Sequence, residues 1–298
     1  MSSAPVAERP CAEEVNKREE VTNQCSTEET MSDSHMLQGK RAVIFGAGGS
    51  IGAAVASEFA AEGAEVFLAG RTPSNVDAVA QRIGKAGHRA HAAAIDALDD
   101  AAVNTYIDSV VRNAGQIDIV FTAVGPLASE YGNTKHAADL TVDEFMLPLT
   151  TVVKSQFIAA RAAARHMIKR RSGVILFLTG SPARGHVEGA TAIGTAFGAI
   201  ESLTENLAVE VSPFGVRVVC LRTTANTDSR TMQQTMDAIV SKMHITKEQA
   251  LAGMANLNFL KVPATVSDTA KAAVLLVSDR ARLLTGTVVN STAGAALD

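Results

Sequence analysis

Short apolar runs alternate with segments of helical periodicity from about residue 40 onward, and this alternation most constrains the fold. Residues Arg41–Phe45 (RAVIF) form the first apolar run, and Ile51, Val55 and Phe59 follow at the i, i+4, i+8 spacing of one helix face. Strands that are apolar along most of their length are typical of parallel sheets covered by helices on both faces. The sequence therefore predicts a single doubly wound α/β domain, with a mostly parallel sheet and a ligand site outside the carboxyl ends of the strands.

The first 37 residues do not follow this pattern. Eight acidic and three basic residues give this segment a charge of −5, which leaves +1 for the rest of a chain whose net charge is −4. Large apolar residues are nearly absent, and no apolar stretch resembles the central region of a secretory signal. We therefore expect a disordered acidic tail over residues 1–37 and one folded domain over residues 38–298.

Composition argues against several classes of partner. A net charge of −4 disfavours broad electrostatic binding to nucleic acid or to an anionic membrane surface. The three cysteines are too few for a disulfide framework, and no apolar run reaches the length of a membrane span. His88 and His91 would point to opposite faces of a strand, so no metal site is expected. We expect a cytoplasmic protein whose partner is a small molecule, not a nucleic acid or a membrane.

A glycine-rich segment joins the first predicted strand to the first predicted helix. Its sequence over residues 46–52 is GAGGSIG, and this strand–loop–helix context is the one that a dinucleotide-binding loop requires. Glycines permit a tight turn and a close approach of backbone N–H groups, while the start of the helix favours an anion. The alternative is a glycine-rich turn without a ligand. The residues predicted to bind a dinucleotide here are Gly46, Gly48, Gly49, Ser50, Ile51 and Gly52.

The end of the second strand distinguishes between two nicotinamide dinucleotides. An acidic residue at this place would bind the ribose 2′-hydroxyl of NAD, but the sequence from residue 69 reads Ala-Gly-Arg-Thr. Arg71 offers a planar cation that suits a 2′-phosphate, and the alternative is a solvated surface arginine. We therefore predict NADP(H) as the cofactor.

These motifs resemble those of the short-chain dehydrogenase/reductase family over about residues 38–298. The glycine segment is similar to the family's T-G-x-x-x-G-x-G, with Phe45 in place of Thr and Ser50 in place of the middle Gly. Residues 198–210 resemble the helix that carries the family's catalytic Tyr and Lys.

The resemblance implies a Rossmann-type fold, a homodimer or homotetramer, and a substrate lid around residues 225–260. It also implies further cofactor contacts after the third and fourth strands. These contacts fall on Asp96, Ala97, Ala123, Val124 and Gly125.

The family's catalytic Asn-Ser-Tyr-Lys tetrad is missing. By the resemblance, its Tyr and Lys fall on Ile193 and Phe197, its Ser falls on Gly180, and its Asn falls near Val152. The family's Tyr donates a proton during carbonyl reduction, and the neighbouring Lys lowers the pKa of that Tyr. Because neither Ile193 nor Phe197 can do this, we do not expect the usual acid mechanism.

Three other polar residues are candidates for the missing acid or for a substrate contact. His186 follows the fifth strand and has the side chain best suited to proton transfer near neutral pH, although an exposed loop histidine is the simpler interpretation. Ser181 lies in the same loop, where a hydroxyl often caps a local turn. Tyr131 follows the fourth strand, and its simpler interpretation is a surface aromatic.

Three functions are consistent with this pattern. The first is an atypical NADP(H)-dependent oxidoreductase that transfers a hydride to or from a small carbonyl, imine or enone without the usual Tyr–Lys acid. The second is a non-catalytic protein that keeps the fold for binding or as a scaffold. The third is a non-redox lyase, isomerase or cyclase, because the fold alone does not determine the reaction.

Overall fold

The computed structural model describes residues 35–185 and 187–298. Within them the chain forms one seven-stranded sheet whose paired strands are all parallel, which confirms the predicted single doubly wound domain. The strands are β1 (Arg41–Phe45), β2 (Glu65–Gly70), β3 (Ala90–Ala94), β4 (Ile119–Thr122), β5 (Gly173–Gly180), β6 (Val216–Thr223) and β7 (Thr287–Ser291). Their order is β3-β2-β1-β4-β5-β6-β7, so the direction across the sheet reverses between β1 and β4. A ligand site is expected at the carboxyl edge beside this reversal.

Nine α-helices in the described part of the chain surround this sheet. They are α1 (Ser50–Ala61), α2 (Pro73–Lys85), α3 (Asp100–Ala114), α4 (Val142–Pro148), α5 (Lys154–Arg170), α6 (Thr191–Val211), α7 (Arg230–Met243), α8 (Lys247–Asn256) and α9 (Val266–Val277). Helices α1, α2 and α9 share one apolar core, which contains Phe59 and Val76, and helices α3, α5 and α6 share the other, which contains Ile107 and Ile200. Between residues 35 and 298, leaving aside residue 186, no helix is both long and apolar enough to cross a membrane.

The start of the folded domain differs from the prediction. Leu37, which the sequence places in the tail, is completely buried in the core that α1 and α2 share. Its N–H donates to the carbonyl of Glu62 at 2.9 Å, and the N–H of Met36 donates to the Glu62 carboxylate at 2.8 Å. Leu37 therefore belongs to the domain, because its side chain covers the end of α1. The rest of the predicted tail, residues 1–34, lies outside the described residues.

A π-helical turn separates two helices that follow each other directly between residues 142 and 170. Helix α4 ends at Pro148, residues Leu149–Val153 form the π turn, and α5 continues from Lys154. Proline lacks the N–H that a continuous α-helix needs, so it favours such an irregularity, and π turns are frequent at functional sites. The turn contains Val152, near which the resemblance places the family's Asn.

A buried ion pair joins α6 to β6. Both Glu201 of α6 and Arg222 of β6 are 2% exposed. The Arg222 Nε donates to Glu201 Oε1 at 2.7 Å, and Nη2 donates to Oε2 at 3.0 Å. Arg184 Nε also donates to Oε2 at 3.2 Å, and the Asp298 carboxylate pairs with the remaining nitrogen of Arg222. Burial alone would lower the pKa of Arg222, but its hydrogen bonds to Glu201 and Asp298 outweigh burial and raise it, so Arg222 stays charged.

We predict that Glu201→Leu destabilises the fold by about 3–5 kcal/mol, because it leaves the buried Arg222 without its main partner. The double variant Glu201→Leu/Arg222→Leu is expected to recover most of this loss, since it removes both charges together. Urea unfolding of the two variants and the wild type measures the difference. A double variant as unstable as the single one would contradict this account.

Candidate active site

The glycine loop lies at the carboxyl end of β1, as predicted. Gly46 has a φ of +75°, and a Cβ atom there would overlap the carbonyl oxygen of Ala123 in the loop after β4. A Cβ atom at Gly52 would overlap the carbonyl oxygen of Gly46 itself. Gly49 is the N-terminal cap residue of α1, with Ser50 and Ile51 as the first two helical residues. The loop therefore folds back so tightly that only glycine fits at residues 46 and 52.

The start of α2 packs against the same loop. A Cβ atom at Gly48 would lie 2.9 Å from the Cβ atom of Asn75, in the first turn of α2. Arg71 ends the β2 segment just before this turn, is exposed, and forms no ion pair with any described residue. The first turn of α2 contains no acidic residue, so the helix dipole and Arg71 together favour an anion here.

The other predicted cofactor residues also reach this edge of the sheet. Asp96 follows β3 and is exposed, with its carboxylate accepting a hydrogen bond from the N–H of Leu98 at 2.9 Å, while Ala97 is buried. The N–H of Ala123 donates to the carbonyl of Phe45 at 2.9 Å, which holds the loop after β4 beside β1. Val124 and Gly125 continue this loop. The structure thus brings the predicted residues together along the ends of four neighbouring strands.

Val152, Gly180, Ile193 and Phe197, on which the resemblance places the family's tetrad, are apolar or glycine, and we call this set the apolar wall. Ile193 of α6 is only 8% exposed, and Val152 is buried in the π turn. A Cβ atom at Gly180 would lie 2.8 Å from Cε2 of the Phe197 ring, which is closer than real Cβ contacts come. The Phe197 ring therefore occupies the space that a side chain at residue 180 would need.

Of the three candidate acids, the structure describes Ser181 and Tyr131, whereas His186 lies outside the described residues. Ser181 is half-buried, and its carbonyl accepts the N–H groups of Arg184 at 3.1 Å and Gly185 at 2.7 Å, which closes a turn after β5. Its hydroxyl makes no hydrogen bond with a described residue.

Tyr131 is not the surface aromatic of the simpler interpretation. It is 7% exposed and belongs to the core that α3, α5 and α6 share, because the loop after β4 folds back on itself. Burial raises the pKa of its hydroxyl to about 12. That shift makes Tyr131 a weaker proton donor near neutral pH than an ordinary tyrosine.

One contact at the cleft was not predicted. The N–H of Arg230, the first residue of α7, donates to the Ser50 hydroxyl at 3.0 Å. The two residues are 180 positions apart, so no local pattern connects them. The one signal in the sequence is that the first turn of α7 carries no acidic residue, unlike the first turns of α8 and α9.

Comparison with known proteins agrees with this architecture. The family model described as short chain dehydrogenase matches residues 40–240. Short chain aldehyde dehydrogenase 1 of Euphorbia lathyris is 30% identical over 264 residues, which cover 88% of each chain. Versicolorin reductase 1 of Aspergillus parasiticus is 29% identical over 89% of this chain and 99% of its own. The crystal structure of sorbitol-6-phosphate 2-dehydrogenase from Erwinia amylovora superposes with a TM-score of 0.79 at 23% identity, covering 86% of this chain and 100% of that one. The chain therefore belongs to the short-chain dehydrogenase family.

Proposed function

We propose that the chain is an NADP(H)-dependent oxidoreductase that transfers a hydride to or from a small organic substrate without the Tyr–Lys acid usual in its family. The observation that carries this proposal is the contrast between the two halves of one cleft. The glycine loop keeps the close backbone packing of a dinucleotide site. On the other side, Gly180, Ile193 and Phe197 form a filled apolar wall where the acid would stand.

The residues of the cofactor half fit a dinucleotide. Glycine at residues 46 and 52 keeps the loop narrow, and the start of α1 carries no acidic residue that would repel a phosphate. We assign the pyrophosphate to residues 46–52, the adenine to Asp96 and Ala97, and the remaining contacts to residues 123–125. When bound, the cofactor supplies or accepts the hydride.

Arg71 is the basis for preferring NADP(H) to NAD(H). It stands at the end of β2, where an acidic residue would instead bind the 2′-hydroxyl of NAD. A 2′-phosphate beside Arg71 would also meet the start of α2, whose first turn has no acidic residue. The guanidinium of Arg71 and the dipole of α2 would then both stabilise the negative charge of the 2′-phosphate.

The apolar wall restricts the reaction that the site can catalyse. Hydride addition to an isolated ketone leaves an alkoxide that needs a proton, and loss of a positioned acid costs about 10²–10⁴ in rate. Hydride addition to an iminium ion gives a neutral amine and needs no proton. Addition to an enone gives an enolate, which water can protonate. Ile193 and Phe197 would then position an apolar substrate and exclude water from the reacting carbon, while Ser181 offers a hydroxyl for a substrate oxygen or nitrogen.

His186 remains our candidate for a relocated acid, because an ordinary histidine titrates near neutral pH. The alternative function is a non-catalytic binding protein. The residues at the four tetrad positions also favour this non-catalytic alternative, since none of these residues has a polar side chain. We further propose a homodimer or homotetramer in the cytoplasm, and light scattering measures the assembly.

The cofactor assignment predicts a selective effect of Arg71. Arg71→Ala is expected to weaken NADPH binding by about 10- to 100-fold and to leave NADH binding almost unchanged, because only NADPH carries the 2′-phosphate. Calorimetric titration of both cofactors measures this. Lys85→Ala, which removes an exposed cation at the far end of α2, is the matched control. Equal affinity of the wild type for the two cofactors would contradict the assignment.

The reaction class predicts which substrates oxidise NADPH. Cyclic iminium ions and conjugated enones are expected to turn over, whereas isolated ketones are expected to react at least about 10²-fold more slowly. Absorbance of NADPH reports turnover across a panel matched for size and hydrophobicity. Tight NADPH binding with no turnover of any class would favour the non-catalytic alternative.

The packing of the apolar wall predicts a coupling between two substitutions. Gly180→Ser is expected to destabilise the fold by about 1–3 kcal/mol, because its Cβ atom meets the Phe197 ring. Phe197→Ala should remove most of this penalty, so a double-mutant cycle in urea should show strong coupling. Gly198→Ser is the control, since a Cβ atom at Gly198 meets nothing within 4 Å. Additive effects at residues 180 and 197 would show that the ring does not fill that space.

A further inference from the structure

A junction connects the predicted lid to the glycine loop. The Arg230 N–H of α7 donates to the Ser50 hydroxyl of α1 at 3.0 Å. Ser50 stands where the family's glycine motif has its middle Gly, and a glycine has no side chain to accept this bond. This hydrogen bond therefore depends on the serine that this chain has in place of the motif's glycine.

A second set of hydrogen bonds also holds the start of α7. Thr227 is buried, and its N–H and hydroxyl donate to the carbonyl of Ala264 at 2.9 and 3.1 Å. Ser229, also buried, caps α7 by accepting the N–H of Met232 at 3.3 Å. These bonds and the bond to Ser50 together fix the backbone of Arg230 beside the glycine loop.

Two helix starts and one arginine side chain supply positive charge at this junction. Neither α1 nor α7 has an acidic residue in its first turn. By contrast, the first turns of α3, α4, α8 and α9 do carry acidic residues. The Arg230 side chain is exposed and forms no ion pair with a described residue. Asp228, the acid nearest to it in sequence, accepts the N–H of Val266 at 2.9 Å, at the start of α9.

We propose that Arg230 binds the pyrophosphate of the dinucleotide, and that Ser50 is the positioning residue that holds Arg230 in place. This inference rests on the proposed function, because the loop that Ser50 belongs to must be the phosphate site. A guanidinium matches two phosphate oxygens in a planar fork, and the two helix starts add to its field. The pyrophosphate is common to NADPH and NADH, so Arg230 contributes equally to the binding of both cofactors. Arg71 contributes only to the binding of NADPH, because it contacts the 2′-phosphate that NADH lacks.

Binding measurements on Arg230→Gln test the first part. The dissociation constants of NADPH and NADH should both rise by about 10- to 100-fold, with their ratio unchanged. Arg230→Lys, which keeps the charge but not the fork, should show a smaller loss. Adenosine 2′-monophosphate, which has no pyrophosphate, should bind Arg230→Gln as it binds the wild type but should bind Arg71→Ala more weakly. Arg280→Gln, an exposed arginine near the opposite edge of the sheet, is the matched control.

Hydrogen exchange tests the second part without any cofactor. Ser50→Gly should speed exchange in the first turn of α7 in the free protein, because the bond to the Arg230 N–H is lost. It should also weaken NADPH binding by roughly 2- to 10-fold, the effect of one ordinary hydrogen bond. Ser50→Thr, which keeps a hydroxyl, should restore slow exchange.

The outcomes separate this proposal from the proposed function. A wild type that binds NADPH while Arg230→Gln binds it equally well overturns the role of Arg230 and leaves the proposed function standing. Unchanged exchange in Ser50→Gly overturns the positioning role of Ser50. A wild type that binds neither dinucleotide overturns the proposed function and, with it, the pyrophosphate assignment.

Discussion

The close approach of the glycine loop to the loop after β4 is the constraint on which the rest of the cleft depends. No side chain fits at Gly46, because the carbonyl of Ala123 stands where its Cβ atom would be. This contact lies where the strand order reverses between β1 and β4, the place where such a sheet is expected to bind a ligand. Helix α1 begins directly from the loop, so the candidate residues of the loop and those after β4 lie side by side at this edge.

The Phe197 ring and the missing side chain of Gly180 complement each other in volume. A protein interior tolerates neither voids nor overlaps, so a change in one side chain is accommodated by its neighbours. The large ring of Phe197 is compatible with the fold because residue 180 has no side chain. Gly180 and the Phe197 ring thus pack as one unit, and a side chain introduced at residue 180 alone meets the ring.

The sequence predicted the features that arise from local patterns. Apolar runs and helix spacing indicated the sheet and its covering helices, and the position of Arg71 followed from the end of a strand. Contacts between distant residues were not predictable in this way. Leu37 looked like part of a polar tail until its contact with the end of α1 was visible, and Tyr131 looked exposed because its loop is polar. The Ser50–Arg230 bond joins residues 180 positions apart, and the fit of Phe197 against Gly180 depends on atomic packing rather than on periodicity.

Helix α6 places the apolar wall and the buried ion pair on one face. Ile193, Phe197 and Glu201 follow each other at intervals of four residues, so they lie one above the other along the helix. The charged residue on this face, Glu201, lies one turn beyond the Phe197 ring and is buried against Arg222. A buried pair of this kind is weak evidence for stability, but sliding α6 along β6 would leave both charges unpaired. The pair therefore favours the one register that holds Phe197 against Gly180, and so the wall stays closed.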